Sequence, residues 1–193
     1  MRRSFARVLV LVTVGLMASP AGATVLRRMS LDELSERATL VVYATVTESF
    51  CHHARGDRGA IVTTTTLDVH HVVKGDAGQI PARGFRFTQV GGELDGLVAR
   101  IPGQPRFGAG QRVVLFLQRV GAGWGVLGFG QGRFDVETEA DGTAVAVRRM
   151  SGVAVVDTAT GRADAGEQDD LRVPLSTLFQ RVRAVAAGVE VTR

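Results

Sequence analysis

The chain has 193 residues, with 23 basic against 19 acidic side chains, 45% hydrophobic residues, 24 glycines and one cysteine. At roughly 150 residues per domain, that length fits one domain with short appendages. The charged share of 22% excludes a disordered or fibrous chain, and the excess of glycine points to many tight turns.

Residues 1–23 have the make-up of a secretory signal: Arg2, Arg3 and Arg7 precede the uncharged run Val8 to Met17, and Ala21-Gly22-Ala23 supplies the small residues of a cleavage site. The apolar run is well short of the roughly 20 residues that span a bilayer. Cleavage is expected after Ala23, which leaves residues 24–193 periplasmic or secreted with no membrane span. Two export routes are open. Arg2-Arg3-Ser4-Phe5 resembles a twin-arginine signal, while the strongly apolar run suits the general secretory route.

Without the signal, 20 basic and 19 acidic residues remain, which gives no stripe able to neutralise a phosphate backbone. No nucleic-acid partner is expected. Cys51 stands alone, so no disulfide can form within the chain. A domain of this size can bury a sufficient core without one.

The first element expected is a short helix, with Ser30 and Glu33 at capping-box spacing and Leu31, Leu34 and Ala38 on one side. From Leu40 to Thr47 the pattern changes to period two, which marks a strand. A loop is expected over Cys51 to Gly59. A long strand follows from Ile61 to Val73, where the Thr63 to Thr66 run favours a pleated surface. Lys74-Gly75-Asp76 makes a turn, and Phe85 and Phe87 mark a third strand.

Gly91 to Gly110 is read as loop. Val113 to Leu117 then has the continuous apolar character of a central strand buried on both faces. Strands are expected around Trp124 to Phe129, Phe134 to Thr138 and Thr143 to Arg148, with Asp141-Gly142 as a hairpin signal. Gly161 to Asp170 reads as a polar, acidic connection. A closing helix over Ser176 to Ala187 carries an apolar stripe of Leu178, Val182 and Val185.

Three short motifs carry a family resemblance. They are the strand Leu40-Val41-Val42-Tyr43-Ala44-Thr45-Val46, the turn Val72-Val73-Lys74-Gly75, and Phe107-Gly108-Ala109-Gly110-Gln111 leading into Val113. Their order is similar to that of the netrin-like module, the OB-type barrel of the tissue inhibitors of metalloproteinases. The resemblance covers about residues 40–132 and implies a small OB-like β-barrel with flanking N- and C-terminal helices. The expected layout is one domain over residues 24–193 with a barrel core of about 39–149. Family members inhibit through a mature N-terminal cysteine that chelates zinc. Thr24 stands at the expected mature terminus here, so that mechanism is not implied.

The histidines fall in two pairs, His52-His53 beside Cys51, and His70-His71. Cys51, His52 and His53 are the candidate metal ligands, because thiolate and imidazole suit zinc or copper, yet a closed zinc site needs four ligands. Alternation along a strand places His70 and His71 on opposite faces, with His71 inward on the face of Leu67 and Val69. No nucleophile elbow, phosphate loop, dinucleotide fingerprint or zinc-protease motif occurs, and Gly128-Phe129-Gly130-Gln131-Gly132 reads as a turn. The expectation is therefore a non-catalytic module without a cofactor that binds a protein, peptide or saccharide through the 51–59 and 91–110 loops. The alternative is a metal-binding or redox protein using Cys51, His52 and His53.

Overall fold

The computed structural model describes residues 25–81, 84–149, 154–156, 163–165 and 171–188. The expected signal segment and most of the acidic connection lie outside the described residues. In chain order the elements are β1 (Val25–Arg27), α1 (Leu31–Arg37), β2 (Leu40–Ala54), β3 (Asp57–Lys74), β4 (Phe85–Val90), β5 (Gly92–Leu94), β6 (Leu97–Ala99) and β7 (Arg112–Val120). They continue with β8 (Gly123–Val126), β9 (Arg133–Thr138), β10 (Ala144–Arg148), β11 (Ala154–Val156), β12 (Ala163–Ala165), β13 (Leu171–Pro174) and α2 (Leu175–Ala186). The protein is mainly β, and no described helix is long and apolar enough to cross a membrane.

One sheet dominates, in the order β13-β10-β9-β7-β2-β3-β4, with β8 paired to the far end of β7. Its centre is the β2–β7 pair, where Leu40 lies opposite Leu117 and Thr45 opposite Arg112. The continuous apolar run of β7 fits this place, since residues 113–117 are all fully buried. Val114 and Phe116 face one core with Val41, Leu34 of α1 and Leu178 and Val182 of α2. Val113, Leu115 and Leu117 face a second core with Val42, Ala44, Leu67, Phe85, Phe87 and Trp124. β7 is thus a partition between two cores.

The helices cover the first core. Ser30 caps α1, its hydroxyl accepting from the Glu33 amide at 3.1 Å, as the sequence predicts. At the other end of α1 the ammonium of Lys74 donates to the carbonyls of Ser35 and Glu36 at 2.6 and 2.9 Å. A cation there complements the negative end of the helix dipole. Gly75 follows with φ +98°, and a Cβ on it would lie 2.8 Å from the Thr39 carbonyl, so this turn requires glycine. A bidentate pair between Arg181 and Asp32, at 2.6 and 2.8 Å, ties α2 to α1 and pushes the Arg181 pKa up.

The expected barrel differs from what is observed. The hydrogen-bonded sheet ends at β4 and β13 and does not close on itself. Register shifts in β2–β3 at Val41/Val42, Tyr43/Ala44 and Val46/Glu48 nevertheless curl the ribbon around the second core. The curl sets Phe85 of β4 against Trp124 of β8, with ring centroids 5.8 Å apart.

The glycine-rich segment at 128–132 forms a short 3-10 turn, in keeping with the turn expected there. The turn grips the segment ahead of α1. The buried Gln131 carboxamide accepts from the Met29 amide at 2.7 Å and donates to the Arg27 carbonyl at 2.9 Å, while Arg148 donates to the Met29 carbonyl at 3.0 Å. Removing the Gln131 amide orphans a buried backbone N–H, which costs about 1–3 kcal/mol. Gln131→Ala is therefore expected to lower the urea midpoint with an unchanged slope. An unchanged midpoint would show that water replaces the amide without loss.

Candidate functional site

The inner face of the β2–β3–β4 ribbon changes character along its length. Near β7 it is wholly apolar. Towards the hairpin tip the same face carries Thr65, Ser49, Thr63, Cys51 and Gln89, following the pairs Ser49–Thr65, Cys51–Thr63 and Thr63–Gln89. The Ser49 and Thr65 hydroxyls lie 3.3 Å apart, as do the Cys51 sulfur and the Thr63 hydroxyl. The Thr63 hydroxyl also donates to the Gly91 carbonyl at 2.7 Å.

That polar end opens into a cleft of about 720 Å³, a size suited to a small ligand or a few residues of a chain. Ser49, Cys51, Thr63 and Gln89 lie on its inner side, and residues 90–93 and 98–107 form the rest of its wall. Gly92 sits directly over the floor, and a Cβ there would meet the Cys51 sulfur at 2.5 Å and the Thr63 hydroxyl at 2.7 Å. Phe107 closes the inner end, edge-on to Phe87 at 5.4 Å and beneath the Arg133 guanidinium at 5.0 Å. The rim is apolar and cationic, with Val90, Val98, Ile101, Arg100 and Arg106 exposed.

Two expectations about this region are corrected. Residues 51–54 are not loop: β2 runs to Ala54 and β3 starts at Asp57, leaving a turn at Arg55-Gly56. The polar residues pair well because hydroxyl and imidazole groups bond across the strands, as the His52 Nε2 to Thr64 hydroxyl contact of 2.8 Å shows. Within the expected loop 91–110 lies a short hairpin, β5–β6, turning at Asp95-Gly96 with φ +52° and +77°. An Asp-Gly pair between Leu94 and Leu97 is a hairpin signal that the sequence carries and the reading missed.

Cys51, His52 and His53 are not gathered into a ligand set. Cys51 lines the cleft, whereas His52, the next residue on a strand, projects from the other face beside Phe50, with ring centroids 5.4 Å apart. The His53 carbonyl takes a hydrogen bond from His52 Nδ1 at 2.8 Å, so Nε2 accepts from Thr64 and both ring nitrogens are engaged. Among the described residues, no three His, Cys, Asp or Glu side chains come together to hold a metal.

His71 also departs from expectation, while His70 is exposed as expected. Tyr43 pairs with His71 and Ala44 with Val69, so His70 is the extra residue of a bulge and strict alternation fails. Both histidines are exposed beside Tyr43 and Phe179. His70 Nε2 meets the Thr45 hydroxyl at 2.7 Å, and Arg183 donates to His71 Nε2 at 2.5 Å. His71 is therefore a surface contact to α2 and not an inward residue.

No protein-family model, curated protein or solved structure significantly matches this chain.

Proposed function

We propose that the chain is an exported, non-catalytic binding module of OB-like, netrin-like build that takes a protein, peptide or saccharide ligand in the cleft beside β2 and β4. The observation that carries the reading is the cleft itself, an open concavity where the polar end of the sheet's inner face meets an exposed apolar and cationic rim. OB-type barrels bind along a strand face and its adjoining loops, which is where this cleft lies. Support for the OB-like build comes from the strand order β7-β2-β3-β4 and from the return of β8 towards β4 through Phe85 and Trp124. Export rests on the basic and apolar make-up of residues 1–23.

The chemistry of the lining favours binding over catalysis. Of its nucleophile candidates, Ser49 and Cys51 contact threonine hydroxyls and Thr63 contacts the Cys51 sulfur and the Gly91 carbonyl, and among the described residues no histidine lines the cleft to act as their base. The test uses printed peptide and glycan arrays probed with the labelled chain and with Val98→Trp, which fills the cleft from an exposed position. Spots bound by the native chain are expected to vanish with Val98→Trp while the melting temperature holds. Spots that persist would place binding elsewhere, and arrays with no spots would refute the reading.

A further inference from the structure

We propose that the ligand is an extended peptide segment that carries apolar side chains beside a carboxylate, an inference that rests on the cleft being the binding site. Charge is the first argument. Arg100 and Arg106 line the cleft, both are exposed, and no hydrogen bond or ion pair engages either guanidinium among the described residues. Elsewhere in the protein, arginines such as Arg133, Arg172 and Arg181 are held by carboxylates, Asp135 at 2.5 Å, Glu137 at 3.2 Å and Asp32 at 2.6 Å respectively. Glu93 is the single carboxylate of the lining, so the cleft is net cationic. Two uncommitted guanidiniums present the planar donor fork that matches a carboxylate.

The apolar rim is the second argument. Val90, Val98 and Ile101 line the cleft at 60%, 51% and 39% exposure, and Leu97 stands beside them at 64%. Branched aliphatic side chains clustered in the open mark a surface that is covered on binding. Aliphatic peptide side chains would bury them, whereas a saccharide offers mainly hydroxyls.

Backbone is the third. β6 belongs to a two-stranded hairpin and has no strand on its other edge among the described residues. Residues 100–107 beside it form no strand. An edge of this kind supplies unpaired amide and carbonyl groups to a chain laid alongside it in extended form. Charge, apolar contact and a free edge together select a peptide over a sugar.

The test is fluorescence anisotropy with the chain purified after export and two degenerate pools of labelled octapeptides. One pool alternates Asp or Glu with Leu, Val or Ile, and the other replaces the acids with Lys or Arg. The acidic pool is expected to bind, to weaken with added salt, and to lose at least tenfold in affinity with Arg100→Ala/Arg106→Ala. Thermal melting of that variant should match the native chain, because both side chains are exposed. Equal binding of the two pools, no binding of the acidic pool, or an unaffected double variant would overturn the proposal. So would a sulfated oligosaccharide that binds more tightly than the acidic pool through the same two arginines. Val98→Trp separates this inference from the reading it rests on. If it abolishes array binding while the arginine variant changes nothing, the cleft stands and the acidic peptide falls; acidic-pool binding that survives it refutes both.

Discussion

Gly132→Ala is expected to lower the stability by about 3 kcal/mol or more, the largest effect of an added methyl group among the described glycines. Gly132 ends the turn that follows β8, where the chain folds back over the middle of β7. A Cβ on it would lie 2.2 Å from the Leu127 carbonyl oxygen and 3.1 Å from that of Phe116. Both obstacles are main chain, and the Phe116 carbonyl is held by the Leu127 amide at 2.8 Å. No side-chain rotation relieves the clash, so the backbone must move or the turn must open. Forced overpacking costs about 1–3 kcal/mol and occasionally more, and a clash with fixed backbone sits at the upper end. That is a large share of a typical stability of about 5–15 kcal/mol. Gly123→Ala is the matched control, since its Cβ meets only the Val120 carbonyl at 3.7 Å. It should melt at or slightly above the native temperature, because it restricts the unfolded chain. A native-like melting curve for Gly132→Ala would show that the approach of these two backbone segments is wrong.

Phe116→Ala should cost about 3–5 kcal/mol, the range for deleting a fully buried aromatic side chain. Phe116 is fully buried, contacts Phe134 at a centroid distance of 5.6 Å, and packs in the core beneath the two helices. The informative reading comes from Trp124, the single tryptophan, which lies in the other core on the far side of β7. Because β7 is the wall shared by both cores, loss on one side should destabilise the other equally. Urea unfolding followed by Trp124 fluorescence and by far-ultraviolet circular dichroism should shift to the same lower midpoint. Separate transitions would mean that the two cores unfold independently and that β7 does not couple them.

Ion pairs on the outer surface of the sheet add little by comparison. Glu137 sits between Arg149 and Arg172, and the hydrogen bond from Arg149 is the chief cause that holds its carboxyl below the ordinary range. The stability this pairing supplies is present above the unfolded pKa and is lost as pH falls through the lower folded value. Exposure to solvent keeps it small.

Much of the architecture is legible in local pattern. The Ser30 cap, the apolar run of β7, the Asp141-Gly142 turn and the apolar stripe of α2 each follow from short-range physics: a donor to satisfy, a surface to bury, a φ that favours glycine. These features depend on neighbours within a few residues and survive whatever the rest of the chain does. The length of β2 was not legible in this way. Cys51-His52-His53 has the polarity of a loop, and its partners Thr63, Val62 and Ile61 lie beyond the turn, so only pairing shows that it is strand.

Side-chain direction was hidden for a related reason. The rule of alternation sends His70 and His71 apart, but a bulge opposite Tyr43 exposes both, and a bulge is a property of two strands rather than one. The cleft required still more. Cys51 and Gln89 come from the ribbon and Ile101 and Arg106 from the strandless stretch after β6, so only the folded chain brings them to one cavity. Composition and periodicity determined that this is a mainly β chain with two helices, because burial and backbone geometry act locally. Tertiary structure decided which polar residues share a site, because the register shifts that aim them arise only when strands meet.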